Sequence, residues 1–123
     1  MPARPRLVLV AAGAAAASAV LPFAAPAAAA PPVLQAEVGK GWAITLKDAK
    51  GGKVKELRPG AYMIRVSDTT DVHNFHLTGP GVDRDSGVKT KLQASRQVTL
   101  VTGRYTFVCD PHRSMMKGSF EVK

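Results

Sequence analysis

Cysteine is almost absent from this chain: Cys109 is the only one among 123 residues. An intrachain disulfide is therefore excluded, and with it the multi-cysteine framework common in small disulfide-stapled domains. A lone thiol in an oxidising compartment is a liability unless it is buried or coordinated. Acidic residues are also sparse, nine against 17 Lys and Arg, for a net charge of +8. The basic residues are nevertheless scattered among the acids, and only 6% of the chain is aromatic. This excludes the aromatic-studded basic stripe of single-strand nucleic-acid binders, so nucleic acid is not an expected partner. Convincing helical periodicity and internal repeats are missing as well. The chain is long enough for one small core and no second domain.

One long apolar run is present, and it lies at the start. Arg4 and Arg6 precede Leu7–Leu21, and an Ala/Pro-rich tract, Pro22–Pro32, follows. A basic start, a short apolar run and a small-residue tail form the pattern of a secretory signal. The run falls short of the roughly 20 apolar residues of a membrane span. Cleavage is expected within Ala27–Ala30, after Ala29, because a cut after Ala30 would place Pro31 first. The segment holds no Cys for lipid attachment and no Arg-Arg pair, which points to the general secretory route. Residues 1–29 are thus read as a signal peptide and 30–123 as one domain. With Arg4 and Arg6 removed, the domain keeps 15 basic and nine acidic residues, a net charge of +6. The expected product is exported, to a periplasm or the outer face of the cell membrane, monomeric and without stable membrane insertion. Its charge favours an acidic partner surface.

Beyond Pro32 the pattern is that of strands. Val33–Val38 and Trp42–Leu46 flank Gly39 and Gly41. Asp48–Lys53 and Pro59-Gly60 are turns, and in Ala61–Val66 the residues Tyr62, Ile64 and Val66 share a face. His73–Leu77, Arg96–Val101, Tyr105–Cys109 and Ser119–Lys123 complete the set. Gly79–Gln93 reads as a loop with one short strand at Val88–Leu92. About seven strands with turn signals between them predict an all-β sandwich or barrel.

The chemistry gathers at the end of one strand, in Cys109-Asp110-Pro111-His112-Arg113-Ser114-Met115-Met116-Lys117-Gly118. Tyr105, Phe107 and Cys109 share a strand face, so the thiol emerges at the inner edge of the core. Pro111 turns the chain there. His112 follows Cys109 at a spacing of three, and a Met follows His112. Upstream, His73-Asn74 offers a second imidazole. Two His, one Cys and one weak Met form the ligand set of a trigonal blue-copper site, and soft sulfur selects copper over oxygen-seeking cations. His76 is the alternative to His73. Adjacent strand residues face opposite ways, so only one of the two can join the cluster. A zinc site would prefer Cys and His without Met. A Cys–His nucleophile would need an orienting third group that the sequence does not offer.

The pattern Cys-x-x-His-x-x-x-Met-x-Gly, ending one strand and preceding the last, resembles the ligand loop of the cupredoxins (plastocyanin, azurin, amicyanin). His73-Asn74 resembles their His-Asn pair. The resemblance spans Val33–Lys123. It implies an antiparallel Greek-key β-sandwich of seven or eight strands with one copper per chain at one end. It also implies a non-enzymatic role as a one-electron carrier between redox proteins. By position, His73, Cys109, His112 and Met116 would be the metal ligands, with Met115 the alternative axial residue. Asn74, Asp110 and Pro111 would surround them. Pro111 matches the plastocyanin and amicyanin form of the loop, in which the thiolate accepts one hydrogen bond fewer. His112 would be the exposed electron port, ringed by Pro111, Arg113, Met115 and Pro80. A copper carrier on the same fold is the alternative function.

Overall fold

The computed structural model describes residues 3, 10–23, 29–88 and 92–123. Arg4, Arg6 and Ala27–Ala28 of the expected leader lie outside the described residues, as do Lys89–Lys91 of the expected Val88–Leu92 strand. Residues 10–23 carry no helix or strand, and Val10, Val20, Leu21 and Phe23 are fully or mostly exposed there.

Nine strands follow among the described residues: β1 (Val33–Val38), β2 (Ile44–Lys47), β3 (Glu56–Leu57), β4 (Gly60–Asp68), β5 (His76–Gly79), β6 (Val82–Asp85), β7 (Leu92–Leu100), β8 (Gly103–Val108) and β9 (Lys117–Val122). They form two sheets, β2-β1-β4-β7 and β3-β9-β8-β5-β6. The all-β sandwich expected from the sequence is the observed architecture. Most pairs are antiparallel, but β1 with β4 and β3 with β9 run parallel. Among the described residues one 3₁₀ turn, Asp110–His112, interrupts the β pattern.

The count exceeds seven or eight for a physical reason. β6 reads Val-Asp-Arg-Asp and is exposed along most of its length, so it shows no apolar alternation. It forms because the Pro80-Gly81 turn lays it against β5, with His76 opposite Asp85 and Thr78 opposite Asp83. β3 has two residues and rests on its pairing with β9. Pairing context, more than intrinsic propensity, makes such strands. β5 likewise begins at His76 and not at His73; His73, Asn74 and Phe75 form the approach to it.

The inward faces carry the period-2 pattern of a half-buried sheet. Tyr62, Ile64 and Val66 of β4 meet Tyr105 and Phe107 of β8 and Phe120 and Val122 of β9 in one core. Two stacked pairs brace the second sheet: Phe75 with Phe107 at 5.3 Å and Tyr105 with Phe120 at 5.4 Å between centroids. Burying side chains of this size contributes roughly 1.5–3 kcal/mol each. The Tyr105 hydroxyl donates to the Pro80 carbonyl (3.1 Å) and accepts from the Val101 N–H (3.1 Å), so its burial leaves no orphaned polar group. That contact also places Pro80 at the start of β8, the opposite end from Cys109. Pro80 is therefore not part of any ring around His112.

Gly118 faces Phe107 across the β8–β9 ladder, and a Cβ there would run into the Phe107 ring. Gly118→Ala is therefore expected to destabilise the fold by about 1–3 kcal/mol through overpacking, measured by chemical denaturation. An unchanged midpoint would contradict this packing.

Candidate metal centre

Three segments far apart in sequence meet at one end of the sandwich. His73 lies on the approach to β5, Cys109 follows β8, and His112 closes the 3₁₀ turn. His73 and Cys109 are buried, at 4% and 0% exposure, while His112 is half-buried. Their donor atoms form a small triangle. His73 Nδ1 is 3.0 Å from His112 Nδ1, and Cys109 Sγ is 3.6 Å from the first and 3.4 Å from the second. A triangle of those sides has a point about 1.9 Å from every corner. That radius lies just inside the roughly 2.0–2.3 Å bonds that nitrogen and sulfur donors make to a d-block ion.

The second nitrogen of His73 sets its tautomer. Nε2 lies 3.0 Å from the Gly41 carbonyl, which can only accept, so the proton sits on Nε2 and the Nδ1 lone pair faces the triangle. Gly39, Lys40 and Gly41 all have positive φ (107°, 52° and 75°), and this left-handed turn aims the Gly41 carbonyl at His73. The next residue, Trp42, sits edge-on to the His112 ring at 4.4 Å between centroids and 6.0 Å from His73. The expected Trp42–Leu46 strand begins only at Ile44, which leaves Trp42 in the bend beside the site. A Gly-x-Gly turn before the chain's single Trp was the available signal.

The loop that carries Cys109 is closed by its own backbone. Cys109 N–H donates to the Met116 carbonyl (2.9 Å), His112 N–H to the Cys109 carbonyl (3.0 Å) and Met116 N–H to the His112 carbonyl (2.8 Å). Met116 is fully buried beside this loop, whereas Met115 is 62% exposed. Pro111 occupies the first turn of the 3₁₀ segment, where its missing N–H costs nothing.

Asn74, with no exposed surface, ties the loop to the His73 segment. Its Nδ2 donates to Asp110 (2.7 Å) and Asp85 (2.8 Å), and its Oδ1 accepts the Asp110 N–H (2.7 Å). Asp110 also accepts from Arg113 (2.6 Å) and faces His76 Nδ1 at 2.8 Å. Burial pushes the Asp110 carboxyl up, but its bonds to Asn74, His76 and Arg113 outweigh this and hold it below the ordinary carboxylate value. His76 does not join His73, Cys109 and His112; its other nitrogen lies 2.6 Å from Asp83. His76, Asp85 and Asp110 do form a second group of potential donors. However, the Asn74 amide already donates to both of its carboxylates.

A family model for copper binding proteins of the plastocyanin/azurin family matches residues 56–123. The chain belongs to this family. Its cofactor is copper, one ion per chain. The cupredoxin fold recurs in solved structures. A methionine-to-glutamine variant of rusticyanin matches with TM-score 0.55 and 18% identity over 74% of this chain and 76% of that one. Reduced rusticyanin matches with TM-score 0.53 and 17% identity over 74% and 78%. A chain in a heme-copper terminal oxidase dimer matches with TM-score 0.51 and 18% identity over 74% and 63%. A comparison with curated protein sequences found no significant match. The donor set of this cupredoxin fits its metal: two imidazole nitrogens and a thiol sulfur converge, the nitrogen and soft sulfur donors that copper takes.

Asn74→Ala strips the Asp110 N–H of its acceptor and two carboxylates of a donor. The expected cost is about 2–3 kcal/mol, the penalty of unmade buried hydrogen bonds, read as a lower unfolding midpoint of the metal-free domain. Unchanged stability would mean that Asn74 does not tie the two segments.

Proposed function

We propose that His73, Cys109 and His112 hold the copper, with Met116 as the weak axial ligand, and that the protein is an exported one-electron carrier. The observation that carries this reading is the convergence of two Nδ1 atoms and one Sγ on a point at bonding distance. They are held there by hydrogen bonds that do not involve a metal. Bound copper supplies a one-electron couple between its cupric and cuprous states. The protein holds the three donors in one arrangement through the Gly41 carbonyl, the closed Cys109–Met116 loop and the Asn74 bonds. Little reorganisation is then needed when the charge changes.

The same burial supports electron transfer over the alternatives. Cys109 has no exposed surface, so a nucleophilic role would give substrates no path to the sulfur. Copper carriage calls for an open site, whereas here His73, Cys109 and Met116 are all enclosed. His112 reaches the surface beside Trp42, Pro111 and Met115, which are exposed, and Arg113 and Lys40 stand nearby in the chain. An apolar patch on a domain of positive net charge suits a brief encounter with an acidic redox protein. We assign residues 1–29 as the leader and 30–123 as the exported domain on the basic-apolar-small pattern. Among the described residues, no helix is long and apolar enough to cross a membrane.

Cupric titration of the 30–123 domain tests the assignment. An intense visible band should saturate at one copper per chain, vanish with ascorbate, return on reoxidation through many cycles and be absent in Cys109→Ser. Stoichiometric binding with only a faint band, or loss of copper on reduction, would favour carriage. The proline also has a defined effect. Pro111→Ala restores an N–H toward the thiolate, weakens its donation to cupric copper and should raise the reduction potential; a lower potential would contradict this.

A further inference from the structure

His76 is the one histidine outside the copper cluster, and its surroundings are unusual for a strand residue. Each ring nitrogen meets a carboxylate: Nδ1 lies 2.8 Å from Asp110 and Nε2 lies 2.6 Å from Asp83. A neutral imidazole has one N–H and could satisfy only one of them. The imidazolium has two and satisfies both. The side chain is one-fifth exposed, so these bonds are only partly shielded from water. From β6, Asp83 and Asp85 face it, and Asp85 is its ladder partner. From the loop after β8, Asp110 faces it, itself paired with Arg113. β8 presents Val108, which carries no charge.

The position matters because Asp110 is shared. The Asp110 oxygen that His76 contacts is the one that accepts from Asn74, and Asn74 in turn binds the Asp110 backbone. His76 therefore bears on the joint between the His73 segment and the Cys109 loop without touching the triangle of donors.

We propose that His76 is a positioning residue for the copper site: clamped between Asp83 and Asp110, it steadies the Asn74–Asp110 tie, and its proton is linked to the electron the site carries. The inference rests on the ligand assignment proposed above. When a one-electron donor such as ascorbate reduces the site, the site loses one positive charge, and His76 takes up a fraction of a proton from solvent near its own titration point. Reoxidation returns both. The sign follows from charge. An imidazolium disfavours the more positive oxidised state, so the reduction potential is higher while His76 is protonated and falls as pH rises through its titration. The reciprocal effect binds the proton more tightly in the reduced protein. The hydrogen bond to Asp83, together with Asp110 and Asp85 and against the opposing effect of burial, holds this imidazole above the usual 6.5. The fall in potential accordingly lies above the ordinary imidazole titration.

The test pairs two measurements from about pH 5.5 to 9, a range that brackets imidazole titration. One is potentiometry of the copper-loaded protein, and the other is NMR titration of the His76 ring in the metal-free protein. The parent should show a potential that falls through an inflection above pH 6.5. His76→Gln should flatten that step. Asp83→Asn, on an exposed edge strand and remote from the copper donors, should move the inflection and the NMR titration together to lower pH. A merely structural His76 would not respond to Asp83 in this way. A step that survives in His76→Gln, or an inflection unmoved in Asp83→Asn, overturns the inference. If His76→Gln does not fold, Asp83→Asn decides. A parent with no blue band would sink the ligand assignment and the electron linkage, and the metal-free titration would still decide the clamp.

Discussion

Everything at the functional end of this molecule depends on holding two imidazoles and a thiol about 3 Å apart, a separation that free side chains would not keep. These three groups lie within hydrogen-bonding reach of one another. Their arrangement is set by partners on the outside: the Gly41 carbonyl behind His73, the self-bonded loop around Cys109 and His112, and the Asn74 bonds that join the two. The core beneath serves the same end. Cys109 sits where it does because Tyr105 and Phe107 take the inward places before it, and the stacking of Phe75 on Phe107 keeps the His73 approach against β8.

The surroundings of the cluster divide into a dry side and a wet side. Cys109, His73, Asn74 and Met116 are sealed, and His112 alone of the imidazoles in the cluster reaches out, with Trp42 across its edge. On the other flank lies a layer of titratable groups, in which Asp83, His76, Asp110 and Arg113 pair in turn. Geometry is thus maintained by buried bonds outside the triangle, and the carboxylates they reach lie one layer away from it. A site can then change its own charge while its shape stays fixed.

Much of this was legible in the residues, and for definite reasons. Period-2 alternation gave the inward faces of β4 and β8, because those strands have one buried face, and the Gly39 and Gly41 turn signals bounded β1 at its observed Val33–Val38. The spacing of Cys109, His112 and Met116 marked the loop, since few combinations of soft donors occur so close together. β3 and β6 were not legible, because two residues and an Asp-Arg-Asp strand carry no apolar signal and exist only through their neighbours. The role of Trp42 was hidden as well, because it depends on where a left-handed turn at Gly39–Gly41 delivers the next side chain. Reading His73–Leu77 as one strand hid a further point. His73 and His76 differ in more than face, since only His76 lies in the ladder, and there it meets carboxylates from β6 that the sequence placed in a loop.

The most direct test of the central claim is X-ray absorption at the copper edge on the loaded domain, in both oxidation states. A site shaped by the protein predicts two nitrogen scatterers at about 2.0 Å and one sulfur at about 2.2–2.3 Å, nearly unchanged between the cupric and cuprous forms. The absence of a short copper–sulfur distance, or the loss of a nitrogen on reduction at neutral pH, would contradict it.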